Sequence, residues 1–213
     1  MLVNWEKNYL FVHLPKTGGT SITQLLKHDC DRVWLPLRLI GYLFDHSGHT
    51  LPDRLFPIVG YPYHITAKDL RQLWGKERFD ELTSFAFIRN PWDLVVSEYF
   101  YIQKKWDHPH KHTVRSLGSF TAYVRWKQNT GYHRQQCNWL YADDGTMLVK
   151  HLGRFETYEQ DATEILRLIG RAEDIPHHNA TERKSYQNYY TDELIQAVAE
   201  MYATDIDRFG YTY

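Results

Sequence analysis

Phe11-Val12-His13-Leu14-Pro15-Lys16-Thr17-Gly18-Gly19-Thr20-Ser21 is the stretch that decides the fold class of this chain. An apolar run at 9–14 overlaps its beginning, and residues 22–26 after it place apolar side chains at helical spacing. This order predicts a strand, a tight loop and the N-terminus of a helix. Free backbone N–H groups and the positive end of the helix dipole make such a junction a site for anions.

The side chains of the loop strengthen this expectation. Two glycines let the backbone approach a ligand closely, a lysine adds a positive charge, and three hydroxyl groups can donate hydrogen bonds. The alternative is a plain strand-to-helix turn in which a Thr or Ser side chain only caps the helix. We expect a phosphate-type anion to be bound by the whole set, which is Lys16, Thr17, Gly18, Gly19, Thr20 and Ser21.

The loop differs from the phosphate loop of nucleoside triphosphatases. Their motif, G-x-x-x-x-G-K-[ST], places the lysine after the second glycine, whereas Lys16 precedes both glycines here. The segment 15–21, P-K-T-G-G-T-S, instead resembles the 5′-phosphosulfate loop of sulfotransferases, which use 3′-phosphoadenosine 5′-phosphosulfate (PAPS) as donor. The resemblance implies a P-loop-like loop that binds the phosphosulfate group.

A second apolar run, 84–88, ends on Arg89. Asn90 is a good N-cap and Pro91 suits the first helical position, so a helix is predicted to follow. Ser97 lies seven residues after Asn90, two turns along the same helix face. An arginine with a hydroxyl group suits a phosphate dianion. The alternative is an arginine that pairs with a carboxylate beside a buried serine.

The segment 85–99, F-A-F-I-R-N-P-W-D-L-V-V-S-E-Y, resembles the 3′-phosphate segment of the same sulfotransferases. The resemblance implies that Arg89 and Ser97 hold the 3′-phosphate of PAPS. Because a 3′-phosphate distinguishes PAPS from ATP, this second match specifies the donor.

His64 lies just before a predicted helix, which Thr66 and Asp69 would open as a capping box. A histidine can take the proton of an alcohol near neutral pH. Membrane-type carbohydrate sulfotransferases carry a similar G-H-x-[ST]-[AF] element, whose histidine is proposed as the base, although this chain has Tyr63 in place of the glycine. The resemblance implies that His64 is the catalytic base. The alternatives are a surface or capping histidine, or another base from the set Asp45, His46, His49 and Glu98.

Length and composition predict one domain, residues 1–213, that binds neither nucleic acid nor metal. The net charge is −1 at pH 7, and His46 and His49 are too few for a zinc site without a cysteine pair. Two cysteines give no disulfide framework, and no apolar run approaches about 18 residues. The start M-L-V-N-W-E-K resembles neither a signal peptide nor a membrane anchor, so we expect a cytoplasmic protein.

The order of strands and helices indicates the fold class. Apolar runs predict strands near 9–14, 84–89 and 147–151, and helical patterns predict helices at 119–128, at 159–168 and after Thr191. Strands separated by helices predict an α/β fold with a central parallel sheet flanked by helices. Both anion sites follow strand ends, where such sheets bind ligands. The His-rich run 107–112 is predicted to be a solvated loop, or else to border the acceptor site.

The C-terminal part also resembles the sulfotransferases. Residues 149–158 resemble the strand that enters their R-F-E element, and residues 176–190 resemble their P-H-x-N…Y-Y segment. In the wider superfamily a basic segment after this point closes over the nucleotide, which implies that Arg183 and Lys184 contact the donor. The alternative is an ordinary exposed basic pair.

Together the resemblances imply transfer of a sulfuryl group from PAPS to an acceptor hydroxyl, with an amine as the alternative. A carbohydrate is the expected acceptor, and lipids, small alcohols and tyrosyl peptides are the other candidates. Lys16 would neutralise the leaving oxygen and His64 would take the acceptor proton, so no metal is expected. Loops at 31–62 and 104–118 are expected to select the acceptor. The alternatives are a kinase-like nucleotide-binding protein and a catalytically degenerate module that binds PAPS without turnover.

Overall fold

The computed structural model of the chain describes residues 1–30, 64–172 and 184–213. In this part of the chain the sheet has the spatial order β1-β2-β3-β4. The strands are β1 (Leu2–Asn4), β2 (Tyr9–Phe11), β3 (Thr83–Ile88) and β4 (His151–Arg154). β1 is antiparallel to β2, whereas β2 pairs in parallel with β3, and β3 with β4. The predicted α/β fold, with a mostly parallel sheet flanked by helices, is confirmed.

Helices make up much of the remaining described chain. They are α1 (Gly19–Leu26), α2 (Ala67–Trp74), α3 (Lys76–Glu81), α4 (Pro91–Lys104), α5 (Lys111–Ser116), α6 (Phe120–Thr130), α7 (Cys137–Leu140), α8 (Tyr158–Leu168), α9 (Asp192–Met201) and α10 (Ala203–Phe209), with a 3₁₀-helix at Tyr186–Tyr189. The helices predicted at 119–128, at 159–168 and after Thr191 are confirmed as α6, α8 and α9. Among the described residues, no helix combines the length and the apolar character needed to cross a membrane.

Internal contacts divide the chain into two compact units. The first comprises Met1–Ile88 and Asn138–His178, and the second comprises Arg89–Cys137 and Asn179–Tyr213. The sheet belongs to the first unit, together with α1, α2, α3 and α8. Helices α4, α5, α6, α9 and α10 belong to the second. A single domain over residues 1–213 stays a prediction.

The core of the first unit covers one face of the sheet. Alternate strand residues share a face, and here four aromatic side chains pack against apolar residues of α1 and α8. The cluster contains Tyr9, Phe11, Phe85, Phe87, Ile22, Leu26, Ala162, Ile165, Leu166 and Ile169. Burying each phenylalanine contributes about 1.5–3 kcal/mol. This packing fixes where α1 begins after β2, and so it fixes the loop between them.

Strand β4 begins at His151 and not at Met147, so the prediction of a strand at 147–151 is wrong in its position. Met147 instead forms an isolated bridge with Tyr141 across a turn. The reason lies in the partner strand: a Cβ atom at Gly153 would lie 2.5 Å from a carbon of the Phe87 ring. A strand that must present a glycine to its neighbour lacks the apolar alternation by which strands are recognised.

In the second unit, C-terminal residues hold the start of α4. Trp92 donates from its indole N–H to the Ile195 carbonyl at 3.0 Å, and its ring centroid lies 5.7 Å from that of Tyr213. The side-chain amide of Asn90 donates to the Thr212 carbonyl at 2.9 Å. The N-terminus of α4 is thereby fixed from both its cap and its first turn.

The prediction of a solvated loop for the His-rich run 107–112 is only partly right, because His110 packs on two aromatic rings. The His110 ring lies 4.5 Å from the Tyr132 ring and 5.4 Å from the Trp126 ring, measured between centroids. Helix α5 then begins at Lys111. The reason is that an imidazole combines an apolar body with a polar tip, so it can pack on aromatic faces while its nitrogens reach polar groups.

Candidate active site

The loop after β2 has the predicted strand–loop–helix form. Lys16 and Gly18 both adopt left-handed backbone conformations, with φ of 64° and 86°. A left-handed lysine is uncommon and costs free energy, and such residues cluster at functional sites. Gly18 is the N-cap residue of α1, and the first turn of α1 contains no acidic side chain. The positive end of the helix dipole is therefore available to an anion.

Both glycines of the loop lie under close-packed rings. A Cβ atom on Gly18 would lie 2.6 Å from Cε2 of Tyr158, and a Cβ atom on Gly19 would lie 2.1 Å from the His13 ring. The Tyr158 hydroxyl also donates a hydrogen bond to the Gly18 carbonyl at 2.8 Å. The glycines are needed for packing within the loop as well as for the approach of a ligand.

Gly19→Ala is expected to destabilise the protein by about 1–3 kcal/mol, the usual cost of overpacking. Gly19 does not have a left-handed backbone, so the cost comes from the contact with the His13 ring. Urea unfolding of Gly19→Ala should show the loss. The matched control is Gly19→Ala in a His13→Ala background, where the added methyl group should cost less. An equal cost in both backgrounds would contradict this explanation.

The three hydroxyl groups of the loop differ in role. Thr17 is completely buried, and its hydroxyl donates to the Leu14 carbonyl at 3.0 Å. Ser21 is also buried, and its backbone N–H donates to the Gly18 carbonyl at 3.2 Å. Thr20 is exposed. The proton of the Thr17 hydroxyl therefore stabilises the loop itself, whereas the Thr20 hydroxyl can donate to a ligand.

His64 is held by the backbone of the segment that follows β2 and leads into the loop. Its Nδ1 lies 2.8 Å from the carbonyl oxygen of His13. A carbonyl oxygen only accepts, so Nδ1 carries the proton and the lone pair of the neutral ring is on Nε2. The Trp139 indole N–H donates to the carbonyl of His64 at 3.3 Å. A histidine with a fixed tautomer and orientation is suited to accept a proton through Nε2.

The predicted place of His64, just before a helix, is confirmed. Helix α2 begins at Ala67, and Thr66 caps it by accepting a hydrogen bond from the Asp69 N–H at 3.1 Å. The Thr66 hydroxyl also donates to the Asp69 carboxylate at 2.6 Å. This reciprocal pair fixes the chain two residues beyond His64.

His13 is a residue of the site that the sequence did not single out. Its ring is buried against Gly19, and its centroid lies 4.8 Å from that of His64. Burial lowers the pKa of His13 well below its ordinary value of 6.5, and the nearby His64 and Lys16 lower it further. His13 is therefore neutral at neutral pH, so it adds no charge beside Lys16.

Stability is expected to fall as the pH drops below 6.5, because the unfolded His13 takes up a proton there that the folded His13 does not. A group whose pKa is lowered on folding stabilises the protein fully above its unfolded pKa, and this contribution is lost toward the folded pKa. Melting temperatures measured between pH 7.5 and pH 5 test this, and the fall should be smaller in His13→Asn. An unchanged profile in the variant would contradict it.

In the second unit, Arg89 and Ser97 lie together as predicted. Nη1 of Arg89 donates to the Ser97 hydroxyl oxygen at 3.1 Å. The same guanidinium donates from Nε and Nη2 to Oδ2 of Asp93, at 2.9 and 2.8 Å. Only 7% of the Arg89 side chain is exposed. The arginine thus has both the hydroxyl neighbour of the first interpretation and the carboxylate partner of the alternative.

Local sequence explains how α4 carries these groups. Asn90 accepts a hydrogen bond from the Trp92 N–H at 3.0 Å, and Pro91 occupies the first helical position, both as predicted. Asp93 and Ser97 are four residues apart and so share one face of α4. That face is directed toward the Arg89 guanidinium.

The remaining predicted site residues are exposed, paired elsewhere or outside the described part of the chain. Lys184 is exposed, and Arg183 lies outside the described residues, as do Asp45, His46, His49 and Tyr63. Glu98 pairs with the buried Lys127 and accepts from the Tyr123 hydroxyl at 3.0 Å. Within residues 1–30, 64–172 and 184–213, no three potential ligands lie together as a metal site. The expectation that no metal is required stays a prediction.

Comparisons with known proteins identify the family of the chain. The family model described as "Sulfotransferase family" matches residues 1–212. An uncharacterised protein of Archaeoglobus fulgidus is 28% identical to the chain over 109 residues, which make up 50% of this chain and 82% of that protein. Because the family model matches nearly the whole sequence, the chain belongs to the sulfotransferase family of PAPS-dependent enzymes.

Proposed function

We propose that the protein transfers the sulfuryl group of PAPS to a hydroxyl group of a carbohydrate. The observation that carries the proposal is the hydrogen bond between His64 and the segment that joins β2 to the lysine–glycine loop, at 2.8 Å from Nδ1 to the His13 carbonyl. It links the group that would remove the acceptor proton to the segment that would hold the donor.

The donor loop would bind the 5′-phosphosulfate end of PAPS. Thr17 to Ser21 would surround the phosphate, and Lys16 adds a positive charge. The N-terminus of α1 offers backbone N–H groups other than that of Ser21, which donates to the Gly18 carbonyl. PAPS supplies an activated sulfuryl group, whose transfer leaves adenosine 3′,5′-bisphosphate. Lys16 is proposed to stabilise the negative charge that develops on the leaving oxygen. Since Lys16 and the helix N-terminus supply positive charge, the proposal needs no metal.

His64 is proposed to accept the proton of the acceptor hydroxyl at Nε2. Its tautomer supports this role, because the bond from Nδ1 to the His13 carbonyl leaves the lone pair on Nε2. A carbohydrate acceptor is proposed because the segment 64–67 resembles the element of carbohydrate sulfotransferases that contains their proposed base. A cytoplasmic place of action is part of the same proposal.

Arg89 and Ser97 are proposed to hold the 3′-phosphate of PAPS. A guanidinium group beside a hydroxyl donor suits a dianion, and the Asp93 carboxylate fixes the orientation of the guanidinium through two hydrogen bonds. Arg183 and Lys184 are proposed as further contacts of the donor.

Calorimetric titration with adenosine 3′,5′-bisphosphate, AMP and ATP with Mg²⁺ tests the donor part of the proposal. The bisphosphate should bind most tightly, and Arg89→Ala should reduce that preference. A preference for ATP with Mg²⁺ would favour the kinase-like alternative instead. The exposed-surface variant Arg125→Ala serves as control, because Arg125 pairs only with Glu193 among the described ion pairs of the second unit.

Transfer of a labelled sulfuryl group from PAPS to a panel of acceptors tests the acceptor part of the proposal. Oligosaccharides, simple alcohols and tyrosyl peptides should be offered side by side. Labelling confined to oligosaccharides is the expected result. Binding of the bisphosphate without transfer to any member would support the degenerate module, and labelling of peptides alone would contradict the carbohydrate proposal.

A further inference from the structure

The backbone of Arg89 is held by a side chain that is distant in the sequence. Oε1 of Gln136 accepts a hydrogen bond from the Arg89 N–H at 2.8 Å, and Nε2 of Gln136 donates one to the Arg89 carbonyl at 2.8 Å. Strand β3 ends at Ile88, so Gln136 gives Arg89 the pair of bonds that a neighbouring strand gives inside a sheet. Gln136 is 2% exposed, and the bonds are therefore shielded from water.

Gln136 is itself held by Asp205 of α10. The Asp205 carboxylate accepts from the backbone N–H of Gln136 at 2.6 Å and from that of Cys137 at 2.8 Å. Its Oδ2 also lies 3.4 Å from Nε2 of Gln136. Asp205 is completely buried, so its carboxylate depends on these donors.

This arrangement permits one orientation of the Gln136 amide. If the amide were reversed, its NH₂ group would face the Arg89 N–H, and its oxygen would face both the Arg89 carbonyl and the Asp205 carboxylate. The side chain therefore has a defined position, set by the peptide group on one side and a buried carboxylate on the other.

We propose that Gln136, held by Asp205, is a positioning residue for donor binding, because it fixes the backbone from which the Arg89 guanidinium reaches the 3′-phosphate. The inference rests on the proposed function, in which Arg89 and Ser97 hold that phosphate. Gln136 does not touch the donor in this proposal. It acts only through Arg89.

The two ends of Arg89 are then fixed separately. Its guanidinium is held on α4 by Asp93 and Ser97, and its peptide group is held by Gln136, which immediately precedes α7. An arginine fixed at both ends loses little conformational freedom when a phosphate binds. Loss of Gln136 frees the peptide group of Arg89 and allows the guanidinium to shift. The 3′-phosphate is then bound less tightly.

A binding ratio distinguishes this role from a merely structural one. Adenosine 3′,5′-bisphosphate and AMP differ by the 3′-phosphate alone. A general loss of folded protein lowers the apparent binding of both ligands alike. A displaced Arg89 weakens the bisphosphate and leaves AMP nearly unchanged.

The experiment is calorimetric titration of both ligands into the whole chain. The proteins compared are wild type, Arg89→Ala, Gln136→Met and Gln128→Met. Gln128→Met is the control, because Gln128 is exposed on α6. Gln136→Met keeps the length of the side chain and removes both hydrogen bonds. We expect the bisphosphate to bind about 10- to 100-fold more weakly to Gln136→Met, with AMP changed less than about threefold. Gln128→Met should match wild type.

The outcomes separate the inference from the proposed function. A wild type that binds both ligands equally would overturn the role of Arg89 and the inference with it. A wild type that prefers the bisphosphate, with the preference lost in Arg89→Ala and kept in Gln136→Met, would overturn the inference alone. If Gln136→Met does not fold, Asp205→Asn takes its place. That variant weakens the support of Gln136, so a bisphosphate preference equal to wild type would overturn the inference.

Discussion

Lys16→Ala is expected to lower kcat/KM for sulfate transfer by about 10²–10³-fold, the loss that follows removal of a group that stabilises charge in a transition state. Lys16 is half-buried and has a left-handed backbone conformation, so the loop determines the direction in which its side chain leaves the backbone. Initial rates with labelled PAPS and a saturating acceptor measure the effect. Alanine is also an L-residue, so the backbone strain at this position is the same in both proteins.

Two controls assign the loss to the charge. Lys27→Ala, at the C-terminal end of α1, removes an exposed lysine from the same segment and should leave the rate within about twofold, as for most surface substitutions. Lys16→Arg should recover part of the rate, because it restores the charge without the geometry of an ammonium group. Near-normal turnover in Lys16→Ala would show that another group stabilises the leaving oxygen.

His64→Ala is expected to reduce kcat by about 10²–10⁴-fold, the range for loss of a general base, while binding of adenosine 3′,5′-bisphosphate stays close to normal. The separation follows from the site: Nδ1 of His64 donates to the His13 carbonyl, and the lone pair on Nε2 is proposed to act on the acceptor and not on the donor. Single-turnover rates and calorimetric titration, performed on the same preparation, measure the two quantities.

Added imidazole provides a sharper test of the His64 prediction. A small base that enters the space left by the ring should restore part of the rate in His64→Ala and none in Lys16→Ala. His28→Ala, which removes an exposed histidine after α1, is the matched control and should behave as wild type. A rate in His64→Ala that equals wild type would exclude His64 as the base and direct attention to Glu98.

The parts of the site that the sequence predicted are those with local signals. The glycines, the lysine and the apolar periodicity of 9–26 are neighbours in the chain, and so are Asn90, Pro91 and Ser97. Helix caps and strand-to-helix turns depend on contacts within a few residues, so the types of the residues involved predict them. The strand–loop–helix form around the glycines and the capped start of α4 were therefore predicted correctly.

The parts that the sequence did not predict depend on distant contacts. The side chain of Gln136 meets Arg89 across 47 positions, and a glutamine has no pattern that reveals such a partner. The start of β4 was misplaced because Gly153 must fit against Phe87 of another strand. Whether Arg89 pairs with a carboxylate could not be predicted for a different reason. An arginine beside Asp93 and Ser97 suits both a phosphate and an ion pair, and only the structure shows that the ion pair with Asp93 forms.

The hydrogen bond from Tyr158 to the Gly18 carbonyl spans 140 positions, and it has a consequence for the order of events during synthesis. The lysine–glycine segment leaves the ribosome well before Tyr158, which is translated 140 positions later and completes the shape of the loop. Parallel pairing of β3 with β4 is similarly non-local, and such contacts form slowly because long loops must close first. A nascent chain that ends before Tyr158 therefore carries the whole motif without the finished loop. The loop reaches its finished shape only once Tyr158, 140 positions after Gly18, has been translated.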